Sequence, residues 1–235
     1  MQRPVTALQN SLLEALPKED YALVAPHLVQ VDLERGRLLY DPGDPIDHVY
    51  FPHDGVISLM TLMDSGAAIE SATIGPEGAL GLMAAVAPRQ SLSRAIVQTP
   101  LTAARIGAER LHEAWEKSAH LRDLADRHTE ALFGHAIQSV ACNALHSVEA
   151  RFCRWLLTCH DRISSDTVAL TQEFLADMLG VQRTTVTAVA RSLQAKGAIR
   201  YRRGVVDILD RQVLQALTCE CYTVIRGTYA RLLGG

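Results

Sequence analysis

Residues 168–209 read VALTQEFLADMLGVQRTTVTAVARSLQAKGAIRYRRGVVDIL, and the order of elements within them decides the fold of the C-terminal part. Thr171 is a good N-cap for a helix that buries Phe174, Leu175, Met178 and Leu179, and Gly180 supplies the turn after it. A second helix starts near Gln182 and ends at Lys196-Gly197. It puts Val186, Val189, Ala190 and Leu193 on one face and Arg183, Thr184, Thr187 and Arg191 on another. Arg200 through Leu209 then alternates and turns like a two-stranded hairpin. Helix, tight turn, basic helix and basic hairpin predict a winged helix-turn-helix.

Charge sharpens this reading. Gln182–Arg203 carries Arg183, Arg191, Lys196, Arg200, Arg202 and Arg203 and no acid, a field suited to phosphates. The whole chain of 235 residues has 23 Lys plus Arg against 26 Asp plus Glu, a net −3 that by itself predicts no polyanion. Residues 166–235 hold nine basic and six acidic side chains, so that part is +3 and the remainder is −6. Such a basic run is either a solvated helix face or a nucleic-acid surface. A helix fits the roughly 12 Å wide major groove of duplex DNA, with its first turns reaching base edges and flanking cations holding phosphates. On that reading Gln182, Arg183, Thr184, Thr187 and Arg191 form the DNA-contacting face, and Arg202 and Arg203 of the wing hold the backbone. Arg183 is placed for a bidentate contact with a guanine edge, and the two threonines offer a hydroxyl or a methyl. The alternative is a small-molecule-binding sensory protein whose C-terminal domain contacts a protein partner.

Working towards the N-terminus, residues 108–160 are nearly free of Gly and Pro, with Gly134 the one exception. Leu121, Leu124, Ala131 or Leu132, Ser139, Cys142 and Leu145 recur there in a heptad-like seam that includes His128 and His135. A seam with polar members suits two identical helices in one register, so a homodimer is the leading expectation. Packing inside one subunit is the alternative. The histidines are read as packed or hydrogen-bonded seam residues and not as metal ligands.

From Val31 to about Ile106, short β-type segments alternate with turn residues such as Gly36, Pro42-Gly43, Asp54-Gly55, Ser65-Gly66, Pro76, Pro88 and Pro100, which indicates a β-roll or sandwich. Residues 5–28 read as a short helical lead-in. The fold class is therefore α+β, with a lead-in and effector-type roll over 1–118, a dimerisation helix over 119–146 and a winged helix-turn-helix over 147–235. Apolar residues make up 48% of the chain, no run reaches the roughly 18–20 a membrane span needs, and no secretory leader is evident, so a cytoplasmic protein without a membrane partner is expected. Five cysteines, an odd number without C-x-x-C spacing, argue against a disulfide framework and a zinc site. Cys219 and Cys221 read as small buried residues.

The whole chain after Leu16 resembles the Crp/Fnr superfamily of bacterial transcription regulators. The resemblance rests on Tyr50-Phe51-Pro52, on Gly55-Val56-Ile57-Ser58-Leu59, on Ile74-Gly75-Pro76-Glu77-Gly78-Ala79-Leu80-Gly81-Leu82 and, most specifically, on LTQEFLADMLGVQRTTV. It implies a cyclic-nucleotide-binding-type roll, a homodimer, a near-palindromic double-stranded operator and no enzymatic activity. RNA polymerase and a small-molecule effector follow as further expected partners. The family's phosphate cassette matches Gly78, Ala79 and Leu80 together with Ser93, Arg94 and Ala95. Here Ala79 stands where the ribose-binding Glu is expected, Ser93 where the Arg is expected, and Arg94 is displaced by one residue. A one-residue displacement on a strand sends a side chain to the other face, so cyclic AMP binding in the usual mode is not expected. No cysteine precedes Cys142, which argues against the family's iron–sulfur sensors. His27, His48 and His53 are haem ligands in type only, and no cofactor is expected. In the reading helix Thr184 and Ala188 replace the Glu and second Arg usual in cyclic AMP receptor proteins, which implies a different operator.

Overall fold

The computed structural model describes residues 10–87 and 89–233. Residues 5–9 of the expected lead-in and the expected turn residue Pro88 lie outside the described residues. The described residues begin with two short helices, α1 (Ser11–Glu14) and α2 (Lys18–Val24). Seven strands follow: β1 (Val29–Leu33), β2 (Leu38–Tyr40), β3 (His48–Pro52), β4 (Ile57–Leu62), β5 (Ala68–Ile74), β6 (Arg94–Val97) and β7 (Leu101–Gly107). Three helices come next, α3 (Ala108–Lys117), α4 (Ala119–Leu145) and α5 (Val148–His160). The remainder is β8 (Thr167–Ala169), α6 (Gln172–Leu179), α7 (Arg183–Ala195), β9 (Ile199–Arg202), β10 (Val205–Ile208), α8 (Arg211–Leu217) and α9 (Cys221–Leu233). No described helix is long and apolar enough to cross a membrane.

The chain divides into two compact units that do not follow chain order. The first gathers the chain up to Leu59, Thr73–Gly134 and the residues from Gly227 on. The first seven strands form two sheets, ordered β1-β7-β3 and β2-β6-β4-β5, with β1–β7, β3–β7 and β2–β6 paired antiparallel. Leu33, Tyr40, Tyr50, Ile57, Ile74, Leu80, Ala95 and Val97 fill the roll between them, with Leu132 of α4 packed against that cluster. Buried Asn10 fixes the lead-in: its side-chain oxygen accepts from Leu12 and Leu13 N–H at the start of α1, and its amide donates to Pro52 and Gly78 carbonyls.

The second unit gathers Met60–Ala72, the far end of β4 and β5, with His135–Arg226. Its core is built on α5, whose Phe152, Cys153, Trp155, Leu156 and Leu157 are buried, joined by Leu175 and Leu179 of α6 and by Val186 and Leu193 of α7. Trp155 Nε1 donates to buried Glu70 at 3.3 Å. The wing has one strand more than the sequence pattern shows, because β8 pairs with β10 in a three-stranded sheet ordered β8-β10-β9. Three residues are too few to display an alternation.

The long helix α4, of 27 residues, lies within one residue of the expected 119–146 and is not interrupted at Gly134. The break lies at Ser118, whose extended backbone ends α3 and whose hydroxyl accepts from Leu121 N–H at 2.9 Å to start α4.

Candidate nucleic-acid interface

The local sequence builds the helix-turn-helix with its own caps. Thr171 Oγ1 accepts from Phe174 N–H, and Gly180 closes α6 in the left-handed conformation at φ 60°. A Cβ at Gly180 would stand 3.0 Å from Ile69 Cδ1, so conformation and space both favour glycine there. Gln182 is the N-cap of α7. Val186, Ala190 and Leu193 turn inward, leaving Gln182, Arg183, Thr184, Ala188 and Arg191 exposed. In the wing, Arg203 (φ 48°) and Gly204 (φ 78°) both take positive φ between paired Arg202 and Val205, the signature of a two-residue primed hairpin turn. Arg203 and Arg183 line one concavity of about 470 Å³ with Thr171, Gln172, Glu173, Tyr201 and Gly204.

Space changes the charge pattern read along the chain. Lys196 Nζ lies 2.8 Å from both carboxylate oxygens of Glu149, which Lys196 and Ser192 hold below the usual carboxylate range. Asp207 faces Arg200 across β9 and β10 and lies 4.0 Å from Arg200 and 3.7 Å from Arg202. The acid-free run is therefore partly neutralised by acids from elsewhere. Arg183, Arg191 and Arg203 enter no ion pair among the described residues. Thr187 also needs correcting as a hydroxyl donor to bases. It is half-buried, with its hydroxyl 3.0 Å from Gln172 Oε1 and 3.0 Å from Arg183 O, so its proton is held inside the protein. Gln172, which fixes it, was not singled out by the sequence, where nothing marks it beyond a place in the first turn of α6.

The candidate effector positions sit differently. Ala79 and Leu80 are buried. The Ala79 N–H donates to His128 Nε2 of α4 at 3.1 Å, and a Cβ at Gly78 would stand 2.7 Å from that nitrogen. Burial pushes the His128 imidazole down to about 4, so it is the neutral, accepting ring. On β6, Ala95 and Val97 point into the roll and Arg94 points away from it. Arg94 Nε and Nη2 each meet a different oxygen of the Asp41 carboxylate at 2.8 Å. That bidentate pair holds Asp41 below the usual carboxylate range. Ser93 precedes β6, and its carbonyl accepts from Ser91 Oγ. His27 is exposed, His48 is half-buried on β3 and His53 is buried beyond its end. None of the three belongs to a cluster of three or more candidate ligands among the described residues.

The expected dimer seam is corrected by burial within the single chain. Leu121, Leu124, His128, His135 and Cys142 are all at most 5% exposed, and Leu132 packs on the roll. They form the subunit's own packing face. Of the expected seam only Leu145 (79% exposed) stays outside; the other large apolar side chains exposed on α4 are Phe133 (66%), Ile137 (54%) and Val140 (72%), with exposed Ala144 continuing their stripe. The sequence missed them because α4 carries apolar residues on two faces, and heptad spacing does not say which face is buried.

Residues 150–217 match the family model of the Crp-like helix-turn-helix domain, and residues 30–118 match that of the cyclic nucleotide-binding domain. The chain belongs to the Crp/Fnr superfamily. A Crp/Fnr-type DNA-binding transcription regulator with a cyclic-nucleotide-binding-like domain is what the two matches together describe. A global nitrogen regulator of Nostoc sp. is 23% identical over 185 residues, covering 74% of this chain and 82% of that protein. FixK2 of Bradyrhizobium japonicum superposes with a TM-score of 0.68 at 17% identity, covering 82% of this chain and 98% of that one. A Crp/Fnr-family regulator of Eubacterium rectale gives 0.65 at 20% identity, covering 88% and 96%. At these identities the two structures support the Crp/Fnr fold.

Proposed function

We propose that the protein acts as a homodimer that reads a near-palindromic operator through α7, and that its roll does not take cyclic AMP in the usual mode. One observation carries the DNA reading: Arg183, Arg191 and Arg203 stand exposed and unneutralised on the outer face of α7 and the wing, while the opposite face of α7 is the unit's core. Arg183 reads a guanine edge, Thr184 adds a contact, and Arg191 and Arg203 with Arg202 hold phosphates. Dimerisation is supported by Phe133, Ile137, Val140 and Ala144, whose alternating three- and four-residue spacing is that of a two-helix seam. Two α7 helices then enter successive major grooves, with half-sites roughly 34–36 Å apart. Against cyclic AMP stand an alanine in place of the carboxylate, an Arg94 already paired with Asp41, and an apolar roll interior. A different effector acts through the roll only by binding competent and incompetent dimers unequally. RNA polymerase is the partner such a regulator would meet on DNA.

The test is selection of bound sequences from random DNA with the full chain, with and without cyclic AMP. An enriched near-palindrome independent of cyclic AMP is expected. No enriched sequence would overturn the operator reading, and cyclic-AMP-dependent enrichment would overturn the effector reading. Affinity for the operator should fall steeply with salt, whereas docking to a protein partner should not show the slope of counterion release.

A further inference from the structure

Five free cysteines are buried in the described chain, and three of them meet one histidine. Cys142 lies in the last turn of α4, His146 follows the end of that helix, Cys219 precedes α9 and Cys221 begins it. One ligand atom from each of the four lies within 4.8 Å of every other. Cys142 Sγ is 3.6 Å from Cys219 Sγ, and Cys221 Sγ is 3.5 Å from His146 Nδ1.

Two of the six edges, one sulfur–sulfur and one sulfur–nitrogen, have the lengths a metal-sized tetrahedron needs. With zinc–sulfur bonds of about 2.3 Å and a zinc–nitrogen bond of about 2.0–2.1 Å, a tetrahedral ion spaces its sulfurs about 3.8 Å apart and a sulfur and nitrogen about 3.5 Å apart. A disulfide would engage two of the four groups and leave the other thiol and the imidazole turned on the pair without a task. The surroundings are also those of a ligand set. His146 presents Nδ1 to the thiols while its Nε2 lies 3.2 Å from the Glu220 carboxylate, the outer partner that fixes the tautomer of a ligating imidazole. Gln138 Nε2 donates to Cys221 Sγ at 3.0 Å. Buried Arg151 and Arg154 of α5 act electrostatically on Cys142 and offset the charge of thiolates. The thiols are buried, whereas His146 is part-exposed and Glu220 exposed, so the cluster lies next to solvent.

We propose that Cys142, His146, Cys219 and Cys221 form a tetrahedral site for one thiophilic divalent cation of the zinc type, joining the C-terminal end of α4 to the start of α9. Binding replaces thiol protons by metal–sulfur bonds, releases those protons and changes no oxidation state. The site is independent of the DNA reading and stands or falls without it.

The test uses the full chain, reduced and stripped with a chelator, titrated with Co²⁺ and then Zn²⁺. One equivalent of Co²⁺ should give the intense visible bands and sulfur-to-metal charge transfer of a tetrahedral thiolate site, and Zn²⁺ should abolish them. Cys221→Ser should lose that spectrum, whereas Cys153→Ser and Cys159→Ser, which alter buried cysteines outside the cluster, should keep it. Because a serine variant can misfold, Glu220→Gln gives a milder reading: it keeps all four ligands and should weaken the metal about 10–100-fold. Absence of stoichiometric uptake by protein whose thiols are counted as free, or a cobalt spectrum without sulfur charge transfer, would each overturn the proposal.

Discussion

Two arginines separate the regions of this molecule. Arg94 lies on β6 beside the expected phosphate cassette, and Arg183 opens the reading helix α7. The sequence places Arg94 one residue out of register with the cassette's arginine and Arg183 where a helix would read a guanine edge. In the roll, both ends of the Arg94 fork are taken by Asp41 at 2.8 Å. In the winged helix, Arg183 is exposed and enters no ion pair among the described residues. A guanidinium recruits a phosphate or a base only where the fold leaves its charge uncompensated, and Asp41 lies 53 residues away from Arg94 in the chain.

The contrast can be broken most severely by removing the second Arg183 that the proposed homodimer would supply. Ile137→Asp on the exposed stripe of α4 should give a monomer by sedimentation and, by removing bivalence, weaken operator binding roughly 10²-fold or more. If the variant stays dimeric, the stripe is not the interface.

Acid probes the roll. His128 titrates at about 4 in the fold against 6.5 for the ordinary side chain. The neutral ring is favoured in the native state, so its stabilisation is complete above pH 6.5 and is lost as pH falls towards 4. The loss is of order 3 kcal/mol at about 1.4 kcal/mol per pKa unit, read as the pH dependence of the denaturation midpoint. In His128→Gln this pH dependence should shrink. An unchanged profile would remove His128 from the account.

On the DNA side, Arg183→Ala should cost about 1–3 kcal/mol on the selected operator and little on random duplex, measured by competition binding. Equal losses on both would make Arg183 a phosphate contact. Arg203→Ala should weaken all sequences alike and lower the salt slope by about 1 per contact removed. The smallest effect belongs to Arg94→Ala, which should leave the operator preference unchanged.

What could be read along the chain was what is local. Thr171, Gly180 and Lys196-Gly197 announce α6 and α7 because caps and turns act over a few residues, and β1 to β7 are set off by the turn residues between them. What needed the fold was every pairing across distance. Glu149 and Asp207 neutralise part of the basic run from outside it. The packing face of α4 was mistaken for a partner face, since His128 and His135 repeat at the same spacing as Ile137 and Ala144. The Cys142 cluster left only an i, i+4 Cys–His pair and a C-x-C, with 77 residues between Cys142 and Cys219.

The unbroken course of α4 through Gly134 carries an evolutionary consequence. His128 is packed in the first unit and His135, Ser139 and Cys142 in the second, all on one continuous helix. Deleting a single residue between His128 and His135 would rotate everything beyond it by about 100° and draw it back by about 1.5 Å. A deletion at Gly134 would bring Val140 to six residues from Phe133 in place of seven, and the exposed stripe would be broken there. Substitutions can accumulate on this helix one at a time, but its length is fixed to the residue, whereas the Met63–Ala67 turn between β4 and β5 can gain or lose residues at its tip.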